Sequence, residues 1–435
     1  MPWKRFAAAR KIAPGASATP QEHNVTTKST SRAVGTETVR MLELGHPWVI
    51  ADAYTAKWPG GNAGQTIELC DAQGRFLATA LLAPQERIVA RVLDRKRIQL
   101  DRSWLTARLK SAIDLRRHHV DLTNTTAYRL VNGEGDGLPG MTVDRYGDYL
   151  MVQLYSAAWQ PHLKLLTQTL QELLSPRGIY EKSRPQKTRE LEAISDSKNY
   201  GRLLAGTAAP QRLKVTENGL SFLVSMEQGL NTGLFLDQRS NRRDLMGRVK
   251  RKRVLNLFAY TGAFSVAAAA SGASQVTSVD ASPSYTEWAQ SNFAANNLAR
   301  GKYEFIVGDC LAELAKMAQN GVRYDVILMD PPSFSTTAKS RFTTKGGTSD
   351  LVAATLPLLA SNGLLIASSN HQKVDVADYL KELRRGALQA GNDLRIISLL
   401  GQGEDFPYPV TFPEGRYLKY AIAVKTGDDT RKPAR

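Results

Sequence analysis

Apolar and polar positions alternate in three different ways along the chain. Between residues 39 and 93, short runs with period two are broken by turn residues at Gly60-Gly61 and Asp71-Ala72-Gln73-Gly74. Residues 66–70, 75–82 and 88–93 therefore read as strands of a small barrel or sandwich. Between residues 101 and 117, Trp104, Leu105, Leu109, Ala112 and Ile113 recur at helical spacing. Strands at 127–131, 142–146 and 149–154 follow, then a helix at 161–174. From residue 253 onward, the apolar runs 253–258, 275–280, 303–309 and 324–330 alternate with helical segments and end in polar or glycine-bearing turns. This alternation predicts a parallel sheet covered on both faces, with ligands bound at the carboxyl ends of its strands. Asp280, Asp309 and Asp330 fall at such ends.

The loop after the first of these runs, residues 259–263, decides between two ligand classes. A dinucleotide needs spaced glycines for its pyrophosphate to approach a helix N-terminus, and only Gly262 is present. Asp280 nevertheless follows at about the 20-residue spacing of an acidic residue that grips ribose hydroxyls. A ribose without a pyrophosphate points to S-adenosylmethionine. Asp309 would then accept from the adenine amino group, with Cys310 and Leu311 beside the ring. Each aspartate alone could equally be a helix cap, and it is their order along successive turns that carries the reading.

The fourth turn, Asp330-Pro331-Pro332-Ser333-Phe334-Ser335, is where chemistry is expected. Two prolines fix the backbone and lack N–H groups, so the Asp330 carboxylate and the carbonyl beside Pro331 can act as acceptors. Phe334 can stack on a planar base. The expected catalytic set is Asp330, Pro331 and Phe334, suited to a nucleobase taken out of its stack.

Composition sharpens the partner. The 435 residues carry a formal net charge of +16, which favours polyanions. No apolar run approaches the length of a membrane span, and the two cysteines, Cys70 and Cys310, lie far apart, which fits a reducing compartment. Residues 1–35 are basic and lack an apolar period, so they are expected to be a disordered extension; a transit peptide and an RNA-touching tail are the alternatives. The clearest basic run, residues 182–189, offers Lys182, Arg184, Lys187 and Arg189 as phosphate contacts. The turn at 132–140 is glycine-rich, but it joins strands and opens no helix, so it is not read as a phosphate loop.

Residues 231–239, 255–264, 278–280, 330–334 and 412–419 together resemble the class I methyltransferases of large-subunit ribosomal RNA that pair a PUA domain with a Rossmann-like catalytic domain. The resemblance implies an α/β fold: a Rossmann-like class I methyltransferase domain with an N-terminal PUA-like β-barrel and a small α+β middle module. Expected boundaries are 1–35 for the extension, 36–110 for the PUA-like domain, 111–210 for the middle module, 211–427 for the catalytic domain and 428–435 for a tail. S-adenosylmethionine is the implied cofactor, held by Gln238, Arg239, Phe258, Tyr260, Thr261, Gly262, Asp280, Asp309, Cys310 and Asp330, with Arg239 pairing to its carboxylate. His46 and Trp48 would contact RNA or else close the barrel. The implied partner is large-subunit ribosomal RNA in the cytoplasm, with a homodimer left open and neither a membrane nor a metal expected. Cytosine-C5 relatives carry a cysteine where this chain has Ser369, and a serine hydroxyl is a poor substitute for that thiolate. Ser368-Ser369-Asn370 resembles guanine-modifying relatives instead, so methyl transfer to a guanine nitrogen is expected. Cytosine C5 and a non-catalytic assembly factor are the alternatives.

Overall fold

Three β-sheets organise the chain, and the computed structural model describes residues 30–182, 199–298, 303–332, 334–336, 341–343 and 347–426. The first sheet contains β1 (Thr30–Ala33), β2 (Trp48–Ile50), β3 (Thr66–Cys70), β4 (Phe76–Leu82) and β5 (Ile88–Asp94) in the order β1-β3-β4-β5-β2. Helix α1 (Thr36–Glu43) packs on it, and Val49, Ile67, Leu69 and Ala80 form its core. The expected extension thus ends earlier than residue 35, because Thr30–Ala33 pairs in parallel with β3 and Val34 is buried. A buried arginine disguised this strand: Arg32 is 5% exposed, with Nη2 donating to the Pro59 carbonyl at 3.2 Å.

The second sheet has the order β10-β9-β8-β7-β6, from β6 (Ala127–Asn132), β7 (Met141–Tyr146), β8 (Tyr149–Leu154), β9 (Gly178–Lys182) and β10 (Gly201–Gly206). Helix α2 (Arg102–His119), capped by Asp101, and α3 (Leu163–Leu174) cover one face. Leu105, Leu109 and Ile113 of α2 share a core with Val143, Val152 and Leu166, so a boundary at residue 110 would cut one continuous helix. The helical period runs on without a breaker, and the unit begins with α2. The other face divides by residue type. Ala127, Tyr149, Met151 and Tyr180 pack against the catalytic side, whereas Arg129, Thr142, Asp144 and Gln153 face an open cavity.

A hairpin, β11 (Leu213–Glu217) with β12 (Leu220–Val224), leads through helix α4 (Arg239–Met246) into the third sheet. That sheet comprises β13 (Arg253–Leu257), β14 (Gln275–Asp280), β15 (Tyr303–Val307), β16 (Tyr324–Met329), β19 (Leu359–Ser369), β20 (Asp393–Leu400) and β21 (Lys419–Thr426), in the order β15-β14-β13-β16-β19-β21-β20. A small hairpin of β17 (Phe334–Thr336) and β18 (Arg341–Thr343) stands apart. Strands β13 to β16 and β19 are parallel, and β21 alone runs against its neighbours. Helices α5 (Ala263–Ala270), α6 (Pro283–Ala295), α7 (Cys310–Gln319), α8 (Gly347–Thr355) and α9 (Val376–Gln389) cover the faces, with separate apolar clusters on each. The chain leaves β13 in one direction and returns to β16 on its other side. This is a topological switch point, the crevice where open α/β sheets bind ligands.

Candidate active site

The loop at the end of β13 has a conformation that only dense support can hold. Phe258 and Tyr260 adopt φ of 56° and 52°, and Gly262 follows at 75°. Left-handed backbone costs a non-glycine residue about 1–3 kcal/mol. Here Ala259 N–H donates to the Val279 carbonyl at 2.9 Å, and Tyr260 N–H to Asp280 Oδ2 at 2.7 Å. Thr261 Oγ1 donates to the Gly233 carbonyl at 2.6 Å, while Asn292 Nδ2 donates to the Thr261 carbonyl at 2.8 Å. The result presents Phe258 and Tyr260 to the cavity beside Asp280, Asp309 and Cys310. Tyr260 is flanked by Phe235 and Tyr285, with ring centroids at 5.2 and 4.5 Å.

Thr261 and Gly262 serve this loop rather than the cavity wall. Thr261 is fully buried by its bond to Gly233. A Cβ on Gly262 would come within 2.7 Å of Ala289, so the glycine is required by the approach of α6, not by a ligand. Asp309 does double duty: its Oδ1 caps α7 by accepting the Ala312 N–H at 3.1 Å, and the residue also lines the cavity. Cys310 is 4% exposed, and burial pushes its thiol up to about 12.

Asp330 ends β16 on the opposite side of the switch point. Burial raises its carboxyl to about 6. Gln238 Nε2 donates to Asp330 Oδ2 at 3.0 Å and to Ser368 Oγ at 2.8 Å, while Gln238 Oε1 accepts from Asn241 Nδ2 at 2.6 Å. The last bond fixes which end of the glutamine amide faces Asp330. Gln238, expected at the cofactor, is thus the residue that aims the carboxylate; Ser368 of the Ser368-Ser369-Asn370 turn and Asn241, which no sequence motif announced, complete the clamp. Pro331 and Pro332 line the same wall, whereas the Phe334 side chain lies outside the described residues.

Three expected contacts are corrected. Arg239 is fully buried, with Nη2 at 2.8 Å from Asp405 and 3.3 Å from Glu404, and it does not line the cavity. Its helix turns it inward to pair with Asp405. Lys182 is 2% exposed and donates to the Met226 carbonyl at 3.4 Å, because it lies on an interior strand between β8 and β10. Arg184, Lys187 and Arg189 lie outside the described residues. His46, 7% exposed, packs edge-on against Trp48 and Phe412 and seals the barrel to the C-terminal loop. Trp48 does line the cavity, and its Nε1 donates to Glu134 Oε1 at 2.7 Å.

The cavity joins all three units and measures about 1750 Å³. Small-molecule sites span roughly 300–1,000 Å³, so this one has space for a cofactor and for part of a larger substrate. Among the described residues, no cluster of three or more His, Cys, Asp or Glu side chains could hold a metal ion, and no helix is long and apolar enough to cross a membrane.

The switch-point loop, the carboxylates at successive strand ends and the sheet order define a class I S-adenosylmethionine-dependent methyltransferase. A family model described as S-adenosylmethionine-dependent methyltransferase matches residues 128–409, and a PUA-like domain matches residues 34–95. Ribosomal RNA large subunit methyltransferase I of Yersinia pseudotuberculosis is 34% identical over 375 residues, which cover 86% of this chain and 94% of the relative. The Yersinia pestis protein of that name matches to the same extent, at 34% identity over 375 residues. The crystal structure of SMU.776 complexed with SAH superposes with a TM-score of 0.82 at 29% identity, covering 91% of this chain and 100% of that one. A structure from Streptococcus mutans gives a TM-score of 0.79 at 29% identity over the same shares, 91% and 100%. The chain belongs to the family of ribosomal RNA large subunit methyltransferase I, and it is an S-adenosylmethionine-dependent enzyme.

The wall fits that cofactor by its donor and acceptor chemistry: Asp280 and Asp309 offer acceptors at adjacent strand ends, with Phe258, Tyr260 and Cys310 as apolar surface between them. Asp280→Ala is expected to weaken S-adenosylmethionine binding by about 1.5–3 kcal/mol, the value of hydrogen bonds to a charged group. Calorimetry measures it, with NAD as the control ligand that should give no saturable heat.

Proposed function

We propose that the enzyme methylates a base of large-subunit ribosomal RNA at a guanine nitrogen, without a covalent protein–RNA intermediate. The relatives' names supply the substrate class, and the net charge of +16 agrees with a polyanionic partner. The carrying observation for the acceptor is the Asp330 clamp, in a cavity with no accessible thiolate among the described residues. Cys70 and Cys310 are both buried, and the burial that pushes the Cys310 thiol up to about 12 keeps it protonated at neutral pH. Ser369, 5% exposed at the end of β19, accepts the His371 N–H at 3.4 Å and carries no general base in that contact.

Phe258, Tyr260, Asp280, Asp309 and Cys310 would hold S-adenosylmethionine, which supplies an electrophilic methyl group when bound. An exocyclic amine already carries the attacking lone pair, so the protein needs only to align it and to stabilise developing positive charge. Asp330, ionised above pH about 6, accepts from the amine N–H, and Gln238 stops the carboxylate from turning away. The rigid Pro331-Pro332 turn holds the adjoining carbonyl against rotation.

The test is nucleoside mass spectrometry of large-subunit RNA from a strain lacking the gene, followed by remethylation with purified protein. Methylguanosine should be missing in the strain and restored in vitro. RNA carrying 5-fluorocytidine traps a C5 enzyme covalently; such an adduct, or 5-methylcytidine as the product, would overturn the nitrogen assignment. Cys310→Ser should retain most of the activity.

A further inference from the structure

A second carboxylate reaches the cavity beside Asp330. Asp237 stands in the short turn Leu236–Gln238 that leads into α4, directly before the glutamine that clamps Asp330. It is half-buried and lines the cavity, and its Oδ2 accepts the Tyr417 hydroxyl at 2.7 Å. Tyr417 is itself a half-buried residue of the same wall. The other Asp237 oxygen, Oδ1, has no hydrogen-bond partner among the described residues and is not closed off by protein, so its lone pairs stay open to the cavity.

Two observations bring Asp237 to the same ligand as Asp330. Gln238, its neighbour in the chain, donates to Asp330 Oδ2 at 3.0 Å. The carboxylates also act on one another: burial is the main reason that the Asp330 carboxyl rises to about 6, and the charge of Asp237 pushes in the same direction. Burial raises the Asp237 carboxyl as well, against the Tyr417 hydrogen bond and the guanidinium groups of Arg129 and Arg242. Two like charges sharing a partly buried site repel, and a ligand that brings a donor to each relieves that repulsion.

Guanine is such a ligand. It carries a ring N–H next to its exocyclic amine, so its edge presents two neighbouring donors. With Oδ2 engaged by Gln238, Asp330 suits an N–H of the amine, and the ring N–H needs a second acceptor if it is not to be left unpaired. Adenine and cytosine place a ring-nitrogen lone pair beside their amine, which a carboxylate oxygen repels. Resting on the guanine reading above, we propose that Asp237 is a second base-contacting residue: its Oδ1 accepts the ring N–H while Asp330 accepts from the amine, and the two acceptors together select guanine over adenine and cytosine. Tyr417 keeps Oδ1 turned to the base by holding Oδ2.

The experiment uses the full chain and two transcripts of the large-subunit RNA, one natural in sequence and one with the methylated guanosine, located by mass spectrometry, changed to adenosine. Asp237→Asn keeps the side chain's size and an oxygen for Tyr417, but turns an amide donor toward the base. It should lower kcat/KM on the natural transcript by about 10- to 100-fold, the loss of one hydrogen bond to a charged group. The preference for guanosine over adenosine should narrow by at least about 10-fold, because the amide suits the lone pair of adenine. S-adenosylmethionine affinity should stay unchanged in calorimetry. Tyr417→Phe frees the same carboxylate to turn, and should lower kcat/KM by about 2- to 10-fold even if Asp237→Asn fails to fold. A folded Asp237→Asn with wild-type kcat/KM or wild-type preference, or with weakened S-adenosylmethionine binding, overturns the assignment while methylguanosine as the wild-type product keeps the guanine reading. A wild-type product of 5-methylcytidine overturns both.

Discussion

Replacing Asp330 by alanine is expected to lower turnover by about 10²- to 10³-fold, the loss typical of one preorganised transition-state hydrogen bond. The size follows from placement. Asp330 is half-buried beside Gln238 and Ser368, where a charge acts through less water than at the surface, and the Asn241–Gln238 bond keeps it from reorienting during reaction. Its carboxyl titrates near 6 against an ordinary value of 3.8, with burial as the leading cause. The wild-type rate should therefore rise with pH through about 6 and level off above it. Stability should move the other way. The native state binds this proton more tightly than the unfolded chain, so its contribution is full below the ordinary value and is lost as pH rises through about 6. Asp330→Asn should thus melt higher than wild type at neutral pH, with the advantage gone below about pH 4. Steady-state rates and melting curves across this window check both signs. A flat pH–rate profile, or an Asp330→Ala variant with wild-type turnover, would remove the residue from the chemistry.

Period and strand-end chemistry made much of this site legible. The runs that end at Asp280 and Asp330 are largely apolar because parallel strands are buried on both faces, and the aspartate that closes each run marks the ligand edge. What the sequence could not convey is which way a polar residue faces inside a packed unit. Gln238 and Arg239 are neighbours at the start of α4, yet one aims a cavity carboxylate and the other pairs with Asp405. The helical turn between them separates their directions, and the partners lie 92 and 166 residues away. Lys182 misleads for a related reason: it opens a basic run, but sheet order places it between two strands. Arg32 hid a strand, since a buried charge reads as a solvated one until its acceptor is known. In the sequence Thr142 and Gln153 are only strand positions, because their shared face depends on a register that composition does not encode.

Arg239→Met is expected to cost about 3–5 kcal/mol of stability and to leave the S-adenosylmethionine affinity of the folded protein unchanged. Arg239 and Asp405 are both fully buried, and Arg239 Nε and Nη1 have no hydrogen-bond partner. The guanidinium therefore depends on Asp405 and on its weaker contact with Glu404. Asp405 depends on more than one unit in turn: its Oδ2 accepts the Arg129 N–H at 2.9 Å, and its carbonyl accepts Arg116 Nη2 at 2.7 Å. It thus ties α2 and β6 of the middle module to α4 of the catalytic domain. Removing the cation leaves a buried carboxylate without its counter-charge, the case in which a buried pair is most costly to break. Urea unfolding should show the loss, and calorimetry on the native fraction should show an unaltered dissociation constant. A variant of full stability whose cofactor affinity has fallen would return Arg239 to the role of gripping the cofactor's carboxylate.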